Sequence, residues 1–153
     1  MIVIVKDCFQ ELFDLENIME QHRKELSYQR DFTLIAAFNT FAKSMQQRVS
    51  LEEFSFGLDR LDFALLPSDI KLFFDRYDSD QDGKLGFWEF SNSLLPLDIR
   101  QRDDLENRQQ GYEMSFETKT LFKRVLSKAI ELEVQVEKVR TRVKQNLGAI
   151  TTR

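Results

Sequence analysis

Cysteine, histidine, proline and glycine are all scarce in this chain of 153 residues, which has one Cys, one His, two Pro and five Gly. The single cysteine, Cys8, excludes a disulfide within the chain and is typical of a reducing compartment. Cys8 and His22 would lie about 21 Å apart on a helix, too far for a nucleophile and its base. Five glycines leave no phosphate-cradling glycine loop. We therefore expect that the protein is not an enzyme.

Long apolar runs are also missing. The apolar stretch at residues 1–5 is far too short for a signal sequence or a membrane span. Ile2 stands where N-myristoylation requires a glycine. We expect a cytoplasmic protein that does not bind membranes.

The composition, with 31% charged and 42% apolar residues, is typical of one globular domain with extensions. Its 14 Phe could supply most of a helical core. Residues 116–153 hold nine basic and four acidic side chains, whereas residues 1–115 are acidic overall. Because the tail's glutamates are interspersed among its bases, we expect no binding to nucleic acid.

The most specific motif lies at residues 78–89 and reads DSDQDGKLGFWE. Calcium requires six to eight oxygen ligands, which a twelve-residue loop supplies from fixed positions. Gly83 occupies the position of the sharp turn, where a β-carbon would be unfavourable. The sequence predicts a site for one Ca²⁺ ion, with the carboxylates of Asp78, Asp80, Asp82 and Glu89 and the backbone carbonyl of Lys84 as its ligands.

Apolar helical patterns flank this loop on both sides, and Pro96 ends the second of them. The resulting helix–loop–helix unit, residues 67–96, resembles the EF-hand family of calmodulin-like proteins. The resemblance implies that calcium could open a groove for a partner helix. The groove residues would be Phe74, Tyr77, Phe87, Phe90 and Leu94.

A second copy of the unit, residues 32–66, precedes the first at an offset of 36 residues, and it lacks most ligands. Glu53 keeps a carboxylate, but Ser50 and Glu53 also form a capping box that explains both residues without an ion. EF-hand units normally occur in pairs, so we expect this copy to be a metal-free partner. Val49 would then face Leu85 across a short ribbon. The ligand positions are replaced by Ala42, Ser44 and Gln46, and the turn glycine by Gln47.

Two long helices are predicted to frame the pair. Residues 1–31 form an N-terminal amphipathic helix, residues 97–115 a polar linker, residues 116–147 a heptad-patterned helix, and residues 148–153 a tail. The apolar seams of these helices could pack on the pair, on each other, or on a partner's coiled coil. The tail seam comprises Phe122, Val125, Ala129, Leu132, Val136, Val139 and Val143.

The predicted fold is therefore all-α, an EF-hand pair with one calcium-competent loop and long flanking helices. We expect a calcium-binding subunit that grips helices of a larger protein, in a calcium-regulated or calcium-stabilised way. The expected partner surface comprises the groove residues together with Phe122, Val125, Leu132, Val136 and Val139.

The order of these segments also resembles EF-hand accessory proteins of ciliary axonemes. The resemblance rests on the residues before Phe32, the string at 94–98 and the charged tail helix. It implies the alternative function, a constitutive scaffold of an axonemal or microtubule assembly in which the ion is only structural. The cytoskeleton or cilium would then be the location, and self-association stays open.

Overall fold

The computed structural model describes residues 2–43, 48–109 and 113–151. These residues are mostly helical, as the sequence predicts, with a single two-stranded ribbon among them. Among the described helices, none is long and apolar enough to cross a membrane. The elements are α1 (Ile2–Ser27), α2 (Leu34–Asn39), β1 (Arg48–Ser50), α3 (Leu51–Arg60), α4 (Pro67–Tyr77), β2 (Lys84–Gly86), α5 (Phe87–Asn92), α6 (Ile99–Asn107) and α7 (Phe116–Thr151).

The ribbon joins two helix–loop–helix units, α2–β1–α3 and α4–β2–α5. Strands β1 and β2 pair antiparallel with Val49 opposite Leu85, which confirms the predicted register. Both side chains are buried. Three replaced positions of the first loop, Ser44, Gln46 and Gln47, lie outside the described residues.

Helix α3 begins with the predicted capping box. Ser50 Oγ accepts a hydrogen bond from the Glu53 amide at 3.2 Å, and Glu53 Oε2 accepts one from the Ser50 amide at 3.0 Å. This arrangement satisfies two backbone donors that the helix start would otherwise leave unpaired. The Glu53 carboxylate is therefore engaged in stabilising the helix.

Phenylalanine rings fill the space between the two units. Phe54 stacks on Phe73 with ring centroids 5.3 Å apart, and Phe41 lies 4.8 Å from Phe54. Each buried ring contributes about 1.5–3 kcal/mol through burial, and each aromatic pair about 0.5–1.5 kcal/mol more. The fully buried rings are Phe32, Phe54, Phe73, Phe74, Phe90 and Phe122.

Helices α1 and α7 pack against each other in antiparallel orientation, and α7 also packs on α4. At one end, Thr118 Oγ1 donates to Asp31 Oδ1 at 2.5 Å. At the other end, Arg142 Nη1 lies 3.1 Å from Cys8 Sγ. Two of the three packing alternatives for the apolar seams therefore occur together. The long helices pack on each other and also on the helix–loop–helix pair.

Asp31 fixes the position at which α7 begins. Its carboxylate accepts a hydrogen bond from the Ser115 amide at 2.6 Å as well as the one from Thr118. These hydrogen bonds, that of Thr118 above all, lower the pKa of Asp31. The end of α1 therefore holds the start of α7 in place.

The segment at 97–115 differs from the predicted polar linker, because it contains α6 and is docked on α1. Asp98 Oδ1 caps α6 by accepting from the amides of Arg100 and Gln101, both at 3.1 Å, and Leu105 is buried. The sequence did not predict this docking, because the segment has few apolar residues and is held by polar contacts to the backbone. Arg108 donates hydrogen bonds of 2.9 Å to the carbonyls of Ser27, Gln29 and Phe32.

Gly57 in α3 lies directly against the ring of Phe41. A β-carbon at this position would lie 2.3 Å from Cδ1 of Phe41. We expect Gly57→Ala to lower the free energy of unfolding by about 1–3 kcal/mol, because the buried ring must shift. Urea denaturation measures the change.

Gly148→Ala is the matched control, since a β-carbon there meets no atom within 4 Å. Alanine at this helical position is expected to raise stability by up to about 1 kcal/mol. Equal stability of the two variants would contradict the close approach of Gly57 to Phe41.

Candidate metal centre

The loop between α4 and β2 is shaped by hydrogen bonds from backbone amides to its own carboxylates. Asp78 Oδ2 accepts from the Gly83 amide at 2.9 Å, and Asp80 Oδ1 accepts from the Asp82 amide at 3.2 Å. Asp82 Oδ1 accepts from the Lys84 amide at 2.9 Å. Gly83 has φ +79°, a left-handed conformation that glycine adopts without strain. The loop thus turns at the predicted glycine.

The structure brings the four predicted carboxylates together. Asp78, Asp80, Asp82 and Glu89 each offer an oxygen, and these oxygens all lie within 4.8 Å of one another. Like charges at this distance repel, and a divalent cation among them would turn the repulsion into attraction. Lys84 lies in β2 opposite Ser50, and its backbone carbonyl remains a predicted ligand.

Asp78 supplies the observation that points most directly to a cation. Asp78 is only 7% exposed, and its Oδ1 is buried without a hydrogen-bond partner. Burial raises the pKa of Asp78, and the nearby charges of Glu89 and Asp80 raise it further. A buried carboxylate oxygen without a donor is costly. A cation in the loop would supply the missing partner.

Glu89 already reaches across the loop. Its Oε2 accepts from the Ser79 amide at 2.7 Å, and its Oε1 accepts from the Gly86 amide at 2.9 Å. The carboxylate therefore links the first residues of the loop to the start of α5. Little movement of α5 would be needed for Glu89 to meet an ion bound by the three aspartates.

The predicted partner groove is not open in this structure. Phe74, Phe90 and Leu94 are buried in the protein's own core, and Tyr77 and Phe87 are partly buried. The apolar seam predicted on the tail helix is also covered within the chain, because α1 and α4 pack against α7. On α7, Phe122, Val125 and Leu132 are buried, and Val136 and Val139 are partly buried.

Arg48 is a site residue that the sequence analysis missed. Its guanidinium, on β1 of the first unit, forms an ion pair with Asp82 and lies 3.9 Å from Asp80 Oδ2. The 36-residue offset of the repeat aligns Arg48 with Lys84. This alignment could have predicted that Arg48 lies in the ribbon beside the loop. The first unit thus contributes a positive charge to the second unit's carboxylates.

Comparison with models of known protein families, with curated proteins and with solved structures gives no match to this chain. The chemistry of the donors is therefore the guide to the ion. All four side-chain donors are carboxylates, which suit hard cations such as Ca²⁺ and Mg²⁺ rather than thiolate- or imidazole-binding metals.

We expect Arg48→Gln to raise calcium affinity by a factor of about 1.4 to 5, because an exposed ion pair is worth roughly 0.2–1 kcal/mol and must be broken when the ion binds. Titration calorimetry at low salt measures the change, which should shrink as salt screens the pair. Lys71→Gln is the control, since Lys71 pairs with Asp75 within α4. Unchanged affinity of Arg48→Gln would show that Arg48 does not compete with calcium.

Proposed function

We propose that this chain is a calcium-binding subunit of the EF-hand type, with one Ca²⁺ ion in the loop at residues 78–89. The observation that carries the proposal is the unpartnered, buried Asp78 Oδ1 within a cluster of four carboxylates. The ligand spacing of the loop and the left-handed Gly83 support it. The first helix–loop–helix unit serves as the structural partner through the ribbon.

In this proposal, calcium stabilises the packed arrangement rather than opening it. The link from Glu89 to the Ser79 and Gly86 amides supports this role, since the carboxylate already bridges the loop. Opening the groove at Phe74 and Leu94 would also expose core side chains that α1 and α7 help to enclose. Exposing each large apolar side chain costs about 1.5–3 kcal/mol.

Asp78→Asn separates the effect of the ion from the effect of the fold. The amide oxygen can keep the bond from Gly83, and loss of the charge relieves repulsion with Asp80 and Glu89. We therefore expect this variant to be at least as stable as the native chain without calcium. At about 100 times the dissociation constant, calcium should stabilise the native chain by about 2.7 kcal/mol and the variant not at all.

Thermal unfolding with and without calcium measures both effects, and fluorescence of Trp88 in α5 follows binding. Asp75→Asn removes the same charge from α4 one turn earlier and should leave the calcium response intact. If calcium changed neither the unfolding temperature nor the Trp88 fluorescence of the native chain, the proposed metal site would be refuted.

The partner in this proposal is a helix of a larger protein, and an exposed apolar pair on α1 supports it. Phe9 is 55% and Phe13 60% exposed. Four residues apart on one helix, they lie on the same face. A third helix with an apolar stripe could pack on this face beside the α1–α7 pair.

The competing function is a constitutive scaffold in a cytoskeletal assembly such as a ciliary axoneme, with a purely structural ion. The burial of Phe74, Phe90 and Leu94 beneath the chain's own helices favours it, since these side chains then belong to the core and not to a partner groove. In that case partner binding would be independent of calcium.

We expect Phe9→Ser/Phe13→Ser to abolish partner binding without unfolding the chain, because both rings are largely exposed. Affinity purification of the full chain with cross-linking mass spectrometry would identify helical segments that contact α1. Ile18→Ser is the control, since Ile18 is 43% exposed on the opposite side of α1.

Cross-links that persist in the double variant would exclude this face as the partner site. Purification in calcium and in chelator separates the two functions. Loss of the partner in chelator indicates calcium dependence, and its retention indicates the constitutive scaffold.

A further inference from the structure

A basic cavity lies between the end of α3 and the first half of α7, separate from the carboxylate loop. Its volume is about 550 Å³. Asp62 is its one acidic lining residue, so the cavity carries a net charge of +3 in a chain whose net charge is −4. Four basic residues line it: Arg60, Lys119, Lys123 and Arg124.

These four bases lack carboxylate partners among the described residues, where no ion pair within 4 Å involves any of them. Two bases further along α7 differ: Lys128 pairs with Glu131, and Arg140 pairs with Glu137, both at 3.0 Å. Three other bases of α7 do not line this cavity but also lack an ion pair within 4 Å in the described part of the chain: Lys138, Arg142 and Lys144. The four bases at the cavity are distinguished because they share one site with a single acidic residue. Clustered positive charge of this kind costs stability unless an anion shares the site.

Aromatic rings stand among the charges. The Lys123 ammonium lies 5.7 Å from the centre of the Phe63 ring, and Phe116 is 86% exposed at the rim of the cavity. An exposed phenyl group beside lysines and arginines offers an apolar contact next to charge-assisted hydrogen bonds. The ligand that fits both is acidic and carries an apolar side chain.

We propose that this cavity binds a short acidic peptide segment of a partner protein. The segment's carboxylates would bind the four bases, and an apolar side chain would contact Phe63 and Phe116. The chain outside the cavity has a net charge of −7, the difference between −4 and +3. A cavity of about 550 Å³ holds a short segment. A long polyanion or a membrane would extend beyond it onto a chain that is acidic in sum, and negative charges there would repel it within a Debye length of about 8–10 Å. A short peptide avoids that repulsion.

The test uses a fluorescein-labelled peptide of sequence EEFEE and the full chain, with fluorescence anisotropy as the readout. We expect saturable binding that weakens as salt rises. Lys119→Gln/Lys123→Gln should weaken it at least fivefold. Lys138→Gln/Lys144→Gln removes two lysines from the same helix outside the cavity and should change affinity less than twofold. Circular dichroism verifies that both variants keep their helix content.

Any one of the following results would overturn the proposal. The first is binding of the peptide QQFQQ as tightly as EEFEE, which would remove the role of charge. The second is an equal loss of affinity in both lysine variants, or no saturable binding of EEFEE. The third is binding of phosphatidylserine vesicles or duplex DNA with the same dependence on Lys119 and Lys123, which would identify a general anion surface. The calcium site is not involved, so Asp78→Asn should bind the peptide normally.

Discussion

Mutual repulsion among four carboxylates is the constraint on which the candidate site depends. Asp78, Asp80, Asp82 and Glu89 come within 4.8 Å of one another because backbone amides and the pairing of β1 with β2 hold the loop in shape. Backbone amides donate hydrogen bonds to most of the carboxylate oxygens, and the Arg48 guanidinium neutralises part of the negative charge. Asp78 Oδ1 is left without a donor. The loop therefore stores an electrostatic cost that a hard divalent cation would remove.

The two long helices decide what the rest of the chain can present to other molecules. Their antiparallel packing closes over the helix–loop–helix pair, so residues with the pattern of a partner groove become core. Asp31 and Arg108 hold this arrangement through hydrogen bonds to the start of α7 and the end of α1. What remains exposed is a different set of features, namely an aromatic pair on α1 and a basic cavity beside α3.

Features that depend on neighbouring residues could be predicted, whereas those that depend on distant ones could not. The Ser50–Glu53 capping box and the turn at Gly83 are local, and the Val49–Leu85 pairing follows from an internal repeat. Helix α6 escaped prediction because a polar segment gains its order from Arg108 contacts with carbonyls 76–81 residues away. The contribution of Arg48 was missed for the same reason, since its partner Asp82 is 34 residues distant.

By itself the sequence determined the helical class, the spacing of four acidic residues in one loop and the replacement of three of them in the upstream copy. These features depend on residue types at short, fixed intervals along the chain, and local backbone geometry is enough to determine them. Only the tertiary structure decided which apolar seams meet and which charges stay uncompensated. An amphipathic pattern states that a face must be covered but carries no information about the covering surface, and that choice is made by packing between segments far apart in the chain.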